Sequence, residues 1–157
     1  MPIHNAEIAA IFNKYADLLE IDGANEYRVR AYRTAARNIS SLSQNAADMV
    51  EKGKDLSKLA GIGKDLAGKI AEIVETGTLS EFEGLKQKLP AGLLNLTQIE
   101  GMGPKRIATL HQELGITSLD ELEKAARQNK VRDLPGFAAK TEKAILEEIE
   151  RLGKQED

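Results

Sequence analysis

Two short glycine-rich turns contain the residue types that could hold an anion. They span residues 61–63 and 101–103, and each places between two glycines an apolar residue that we expect to be buried in the core. Glycine tolerates positive φ and leaves the neighbouring backbone amides unshielded. Where such a turn opens a helix, the amides can donate hydrogen bonds to a phosphate that the helix dipole also attracts. The turns therefore predict that the backbone binds phosphate groups, a contact that reads no base sequence.

Basic side chains lie beside both turns and on a helix predicted upstream of them. Lys64 follows the first turn, and Lys105 and Arg106 follow the second. Spacings of three and four residues put three of the upstream arginines on one side of their helix. The upstream arginines are Arg28, Arg30, Arg33 and Arg37. We interpret them as a stripe that contacts phosphates, and the alternative is a solvated helix face with local ion pairs.

The two turns belong to an internal repeat that has three copies. The copies begin at Gly61, Gly101 and Gly136, at intervals of 40 and then 35 residues. In every copy an apolar residue follows nine positions later, on the helix that the turn opens; these residues are Ile70, Leu110 and Ile145. In the third copy Ala138 replaces the second glycine, so that turn could serve only to join two helices. Two full copies in matching context favour a functional motif.

The elements that would position these turns are helices throughout. Apolar residues recur with helical spacing along the chain, and no stretch shows the alternation of a strand. We expect Asn5 to be the N-cap of the first helix. Two Ser-x-x-Glu sequences, at residues 80–83 and 118–121, predict capping boxes that open later helices. The sequence therefore predicts an all-α protein.

The composition excludes several kinds of site. The 157 residues include no Cys and only two histidines, His4 and His111. This excludes disulfides, thiolate metal sites, a Cys nucleophile and multi-histidine metal sites. No apolar run reaches the length of a membrane span and no signal peptide is recognisable, so we expect a cytoplasmic protein with no membrane partner. The net charge of −3 leaves nucleic-acid binding open, because local charge decides it.

The repeated turn resembles the helix-hairpin-helix motif of DNA-binding proteins that recognise no particular sequence. Residues 22–36, 59–70, 96–105 and 131–137 also resemble the N-terminal region of the family X DNA polymerases, especially the bacterial form. The resemblance implies two small helical domains built on helix-hairpin-helix motifs. Residues 1–89 would form a lyase-like domain with the first motif, and residues 90–157 a second domain with one clear and one degenerate motif. It also implies a nucleoid-associated protein whose partner is DNA, bound at gapped, nicked or single-stranded regions.

The resemblance ends where the catalytic palm domain of this family would begin. The sequence contains no Asp-x-Asp pair, and nucleotidyl transfer needs paired carboxylates that hold two metal ions. We therefore expect neither polymerase activity nor a divalent metal site in this chain alone. The chain is expected to be either a fragment of a longer polymerase, with the palm domain as its partner, or a free-standing relative.

The resemblance also implies a candidate catalytic residue, Lys69. In this family a lysine at the matching position of the first domain forms a Schiff base with the sugar aldehyde of a 5′-deoxyribose phosphate, and β-elimination then releases the sugar phosphate. Arg28 and Tyr32 match residues that line the 5′-phosphate pocket. Asp65 and Glu81 stand where family members with lyase activity carry lysines. Their charges would repel a phosphate and hold Lys69 protonated, although the chemistry requires a neutral amine.

The resemblance alone implies a monovalent cation, Na⁺ or K⁺, in each of the first two hairpins. The family holds this ion with backbone carbonyls and shares it with a DNA phosphate. The matching carbonyls belong to Ser57, Leu59, Ile62, Thr97, Ile99 and Met102.

Three functions follow, and the sequence leaves all three open. The leading hypothesis is DNA binding through backbone phosphates, without sequence specificity, in DNA repair or gap filling. Its predicted contact residues are Gly61, Gly63, Lys64, Gly101, Gly103, Lys105, Arg106, Arg28, Arg30, Tyr32 and Arg33. The alternatives are a 5′-deoxyribose phosphate lyase that uses Lys69, and a protein-interaction module. Salt dependence separates DNA binding from the last of these, because phosphate contacts weaken steeply with salt.

Overall fold

The computed structural model describes residues 3–156, with side chains described as far as Gly153. Within this range the regular structure is helical and contains no strand, which confirms the predicted all-α class. The α-helices are α1 Asn5–Ile21, α2 Glu26–Ser40, α3 Ala46–Glu51, α4 Lys64–Thr76, α5 Ser80–Lys88, α6 Ala91–Asn95, α7 Pro104–Leu114, α8 Leu119–Arg127 and α9 Ala139–Glu156. Short 3₁₀ helices span Leu56–Lys58 and Leu96–Gln98. None of the described helices combines the length and apolarity needed to cross a membrane.

The chain divides into two compact units, Met1–Lys86 and Gln87–Asp157. The boundary predicted from the sequence, at residues 89–90, lies slightly further along the chain. In the first unit, α1 packs along α2. A cluster of aromatic rings fills the space between them, with Tyr32 in edge-to-face contact with Phe12 and Tyr15 at centroid distances of 5.4 and 4.9 Å. These rings belong to the core that positions α2 and α4.

The N-cap of α1 lies one residue earlier in the chain than predicted. The N-cap is His4, whose backbone N–H donates to the Glu7 carboxylate at 3.2 Å. Asn5 is the first helical residue, and its side chain instead connects α1 to the chain before α3. Its amide donates to the Gln44 carbonyl at 2.9 Å, and its oxygen accepts from the Ala46 amide at 2.8 Å. The cap prediction was wrong because a distant contact determines what Asn5 does.

The two predicted capping boxes have different outcomes. Ser118 is the N-cap of α8, and its hydroxyl accepts from the Glu121 amide at 3.2 Å as predicted. The Glu121 carboxylate, however, accepts from the Thr117 amide. Ser80 is not a cap, because it already lies inside α5 and its amide donates to the Glu72 carboxylate at 2.6 Å. A carboxylate from α4 therefore satisfies the start of α5.

The second unit is built around the apolar residues of its two turns and the helices that follow them. Ile107 and Leu110 of α7 are fully buried, together with Leu96 of the preceding 3₁₀ helix. Gly92 in α6 lies so close to the Thr117 carbonyl that a Cβ at this position would overlap it. The start of α8 therefore requires glycine at this point of α6.

Candidate nucleic-acid interface

The three repeat turns have the same backbone geometry. Each contains a glycine with positive φ, which is +75° at Gly61, +81° at Gly101 and +83° at Gly136. In each turn the next residue donates its amide to the carbonyl three positions earlier. These bonds are Ile62 to Leu59 at 3.1 Å, Met102 to Ile99 at 3.1 Å and Phe137 to Leu134 at 3.0 Å. The repeat seen in the sequence is therefore a repeat of structure, and it includes the degenerate third copy.

The apolar residue inside each turn determines how the turn packs. Ile62 and Met102 are buried, as predicted, with 3% and 6% of their surface exposed. Phe137 in the third copy is half-buried. The residues nine positions after the first glycines, Ile70, Leu110 and Ile145, are also buried. The first two turns thus have an apolar side fixed in the core and a polar backbone side that faces outwards.

The outward side of the first two turns presents unpaired amides at the start of a helix. Gly63 and Gly103 are the N-caps of α4 and α7. Within the part of the chain that the structure describes, their amides have no acceptor, and neither do those of Lys64 and Lys105. A Cβ built on either capping glycine would meet nothing within 4 Å. Both turns are therefore open to an incoming acceptor, and the Lys64 and Lys105 side chains beside them are exposed.

Helix α2 holds the first turn in place through Asn38, which the sequence analysis did not identify. The Asn38 side-chain amide donates to the Ala60 carbonyl at 2.7 Å. A Cβ on Gly61 would overlap the same side chain. Glycine is thus required here for its positive φ and for this close approach. No periodicity or spacing in the sequence indicates such a contact between α2 and a later turn.

Arg106 closes the second turn and reaches the third. Its guanidinium donates to the Gly101 carbonyl at 2.9 Å and lies over the Phe137 ring at 5.5 Å from the centroid. The side chain predicted to contact a phosphate is therefore engaged with the turns themselves. Lys105 is the exposed cation of the pair.

A buried carboxylate organises the third turn. Glu142 of α9 is 2% exposed and accepts from the backbone amides of Val131 and Arg132 at 3.1 and 2.9 Å. The Arg132 guanidinium pairs with its other oxygen at 2.9 Å. These bonds satisfy Glu142 completely, so its role is to hold the loop before the third turn against α9.

In the predicted arginine stripe on α2, one side chain is paired with carboxylates and others are exposed to solvent. Arg33 pairs with Asp17 at 2.8 Å and with Glu20 at 3.8 Å, both on α1. Arg30 and Arg37 are exposed. Arg30 lies over the ring of Tyr27, which is itself 78% exposed, at 5.8 Å. The exposed members are available to a phosphate, whereas Arg33 would first have to leave two carboxylates.

The residues expected around Lys69 do come together in the first unit. There, however, the carboxylates of Asp65 and Glu81 both form ion pairs with the Lys69 ammonium. Only 11% of the Lys69 side chain is exposed, and its ammonium lies 3.0 Å from Asp65 and 3.2 Å from Glu81. Glu81 also accepts from the Tyr15 hydroxyl at 3.1 Å and lies 3.5 Å from Arg28. The sequence gives no sign that Tyr15 belongs to this group, because its hydroxyl reaches Glu81 only through the packing of α5.

The electrostatics of this cluster keep Lys69 charged. Burial lowers the pKa of Lys69, but hydrogen bonds to Asp65 and Glu81 outweigh burial and hold the pKa above its usual value. Burial raises the pKa of the Tyr15 hydroxyl to about 12, against the opposing charge of Arg28. Tyr32, a predicted DNA contact, is 3% exposed, and burial raises its pKa although the nearby Lys69 charge opposes this. An amine held in this way lacks the neutral form that a nucleophile needs.

The carbonyls matched to a monovalent cation lie in the two open turns. Those of Leu59 and Ile99 accept the turn hydrogen bonds already described. The carbonyls of Ser57, Ile62, Thr97 and Met102 accept no hydrogen bond from any described residue. Among described side chains, no group of three or more His, Cys, Asp or Glu is placed to hold a metal ion.

Comparison with known proteins identifies the class of this fold. Residues 3–79 match a family model described as a helix-hairpin-helix domain, and residues 93–151 match one described as a SAM-like helix-hairpin-helix tandem. The DNA polymerase/3′-5′ exonuclease PolX of Bacillus subtilis (strain 168) is 34% identical over 153 residues, which are 98% of this chain and 26% of that protein. The chain thus spans about a quarter of the length of this curated relative. The matched domains and the repeated turns define a helix-hairpin-helix protein. More particularly, the chain belongs with the N-terminal helix-hairpin-helix region of the family X DNA polymerases.

Proposed function

We propose that this chain binds DNA through backbone phosphates, without reading base sequence, in the repair or gap-filling context of the family X polymerases. The observation that carries the proposal is the pair of open turns. In both, unpaired amides at a helix N-terminus face outwards beside an exposed lysine. Amides in this arrangement can bind phosphate with the help of few basic side chains. Such binding is therefore consistent with the net charge of −3.

The DNA that suits this arrangement is discontinuous. The two turns belong to separate compact units, so each can bind its own stretch of backbone. Gapped, nicked and partly single-stranded DNA bends easily at the discontinuity, so the stiff duplex segments on its two sides can take different directions. We therefore expect the chain to prefer such DNA to an intact duplex, and to associate with the nucleoid in the cell.

A fluorescence anisotropy titration tests the proposal. Labelled gapped, nicked, single-stranded and intact duplex DNA, each in two unrelated sequences, would be titrated at several salt concentrations. We expect affinity to fall linearly with salt on logarithmic axes, because each neutralised phosphate releases counterions. We also expect little difference between sequences. Absence of binding at low salt, or a strong preference for one sequence, contradicts the proposal, and the first result leaves a protein-interaction module.

A monovalent cation in each open turn is a second part of the proposal. A carbonyl oxygen has two lone pairs, so the Leu59 and Ile99 carbonyls can still coordinate an ion while they accept the turn hydrogen bonds. Ser57, Ile62, Thr97 and Met102 would complete the two sets. We expect DNA affinity to be higher in K⁺ or Na⁺ than in tetramethylammonium at equal ionic strength. Equal affinities would remove the cation from the proposal and leave DNA binding by the amides intact.

A further inference from the structure

An open groove between α8 and α9 of the second unit combines basic and apolar side chains. Its volume is about 640 Å³. Ala126, Ala139 and Leu146 supply the apolar part of the lining. The basic side chains that line it are those of Arg127, Arg132, Lys140 and Lys143. The groove therefore offers a ligand positive charge and apolar surface together.

The two lysines give the groove its net positive charge. The arginines are paired with carboxylates of this chain, which are Glu123 and Glu150 for Arg127, and Glu142 for Arg132. Lys140 and Lys143 are exposed and, among the residues that the structure describes, have no carboxylate partner. They lie three residues apart on α9, so they are neighbours on one side of the helix. Both ammonium groups are therefore free to contact phosphates of one strand.

The groove adjoins the second turn through Lys140. This side chain also lines a smaller cavity beside the turn, together with Gly101, Met102 and Arg106. The Arg106 guanidinium lies over the ring of Phe137, two residues before α9 begins, so the turn and the start of α9 are held together. A strand whose phosphate is bound at the second turn thus passes Lys140 on its way into the groove.

Arg132 presents a fixed planar group on the wall of the groove. Its guanidinium donates to Glu142 at 3.1 and 2.9 Å and to the Asn129 side-chain oxygen at 2.8 Å. These bonds lie along the N–H directions, which are in the plane of the guanidinium. They hold the plane in position but leave its faces uncovered, and 41% of the side chain is exposed. A flat group can therefore stack on Arg132 without breaking its ion pair.

We propose that this groove binds the single-stranded DNA that continues from a duplex held at the second turn. Lys140 and Lys143 contact phosphates of the unpaired strand, and an unpaired base stacks on the guanidinium of Arg132. The inference rests on the proposed DNA binding and adds a place for the unpaired strand on the second unit.

The size and the lining of the groove favour a single strand over a duplex. Its volume lies in the range of pockets that bind small ligands, about 300 to 1,000 Å³, so it has room for nucleotides of one strand only. Proteins that bind single strands combine a positive groove along the backbone with flat groups on which bases stack, and guanidinium planes serve this purpose. In a duplex the bases are stacked on each other and cannot reach Arg132.

An NMR titration with a short single-stranded oligonucleotide tests the groove without any duplex. The signals followed are the Leu146 methyl groups and the Arg132 Nε–H, and the matched probe is an oligonucleotide of the same length whose sugars carry no bases. We expect saturable shifts of both signals with the normal oligonucleotide. The base-free probe should bind at least about fivefold more weakly, the lower end of the effect of one stacked base.

Two results of this titration would overturn the proposal, and neither depends on a variant that folds. One is the absence of saturable shifts at Leu146 and Arg132, which would leave the groove to an acidic protein segment. The other is equal affinity for the two probes, which would show that no base is bound there.

An anisotropy titration then connects the groove with the second turn. It compares a blunt duplex with the same duplex carrying a 3′ or a 5′ single-stranded tail. Lys143→Ala should reduce the slope of log affinity against log salt by about 0.7 on the tailed DNA that the wild type prefers, the value of one phosphate contact on a single strand. Its affinity for the blunt duplex should be unchanged. Lys124→Ala is the matched control, because Lys124 is exposed on α8 but does not line the groove.

Equal slopes for the wild type and Lys143→Ala on both tailed duplexes would overturn the proposal, and so would the same change in Lys124→Ala. Failure of the wild type to bind any duplex would instead contradict the proposed function, and the oligonucleotide titration would still decide whether the groove binds a single strand.

Discussion

The side-chain amide of Asn38 donates to the Ala60 carbonyl at 2.7 Å and so fixes the first helix-hairpin-helix turn against α2. The contact positions the backbone just before Gly61, whose successors carry the outward-facing amides. The proposed phosphate-binding surface of the first unit therefore depends on a residue that lies on another helix. Two properties of the protein should respond when this contact is removed.

Replacing Asn38 by Ala should lower both stability and DNA affinity. The loss of one hydrogen bond to an exposed carbonyl should cost about 1 kcal/mol of unfolding free energy. Affinity should fall because the free amides of the turn are less well positioned. Urea denaturation and anisotropy titrations measure the two effects. Ser40→Ala, at an exposed position on α2 outside the arginine stripe, controls for the loss of a side chain there, and unchanged stability in Asn38→Ala would show that the contact is dispensable.

Gly103→Val should weaken DNA binding without unfolding the second unit. The φ of −80° at this position suits any residue, and a Cβ there meets nothing within 4 Å. The isopropyl group would instead stand where a phosphate approaches the amides. Anisotropy should show a large loss for Val and a smaller loss for Ala, while circular dichroism stays unchanged. Gly84→Ala on α5, also in open space, serves as the control, and wild-type affinity in folded Gly103→Val would exclude the second turn as a phosphate site.

Arg30 and Arg33 should differ in their contribution to salt dependence. Arg30 is exposed, so Arg30→Ala should reduce the slope of log affinity against log salt by about one if it contacts a phosphate. Arg33 is held by Asp17 and Glu20, so Arg33→Ala should leave the slope nearly unchanged and act mainly on stability. Equal slope changes for both variants would show that Arg33 leaves its carboxylates when DNA binds.

Lys69 should give no Schiff-base adduct with a 5′-deoxyribose phosphate end. Asp65 and Glu81 hold its pKa above the usual value, so the neutral amine is scarce at physiological pH. Borohydride trapping on incised abasic DNA should yield no more product with the wild type than with Lys69→Ala. The double variant Asp65→Asn, Glu81→Gln removes both carboxylates and should lower the pKa, so any latent reaction should appear there first. Robust wild-type trapping that depends on Lys69 would establish the lyase instead.

Glu142→Ala should destabilise the second unit by about 2 kcal/mol. It would leave the amides of Val131 and Arg132 without their acceptor, and Val131 is fully buried. Denaturant unfolding followed by helical circular dichroism measures the loss. Glu147→Ala on the same helix, at an exposed position, should cost only a few tenths of a kcal/mol. Equal stabilities of the two variants would contradict the role assigned to the buried carboxylate.

The sequence by itself determined the helical class, the three repeat turns and the burial of Ile62, Met102 and Ile70. These features follow from local rules. Apolar residues recur with helical periodicity, glycine tolerates positive φ, and a tight turn directs its apolar side chain towards the core. Because each rule acts over a few residues, the sequence of one chain is enough to apply it. The unpaired amides at Gly63 and Gly103 follow from the same local geometry.

Only the tertiary structure decided which side chains are free to act. Arg33 is paired with α1, Arg106 is bonded to Gly101, and Asn5 accepts from the first amide of α3 rather than capping its own helix. The meeting of Lys69 with Glu81 likewise depends on the packing of α5 in the first unit. Ion pairs and hydrogen bonds act over a few ångströms, and residues far apart in sequence reach that distance only when the helices pack. Charge and spacing in the sequence therefore predicted where phosphate could bind, while packing determined which charges remain available to bind it.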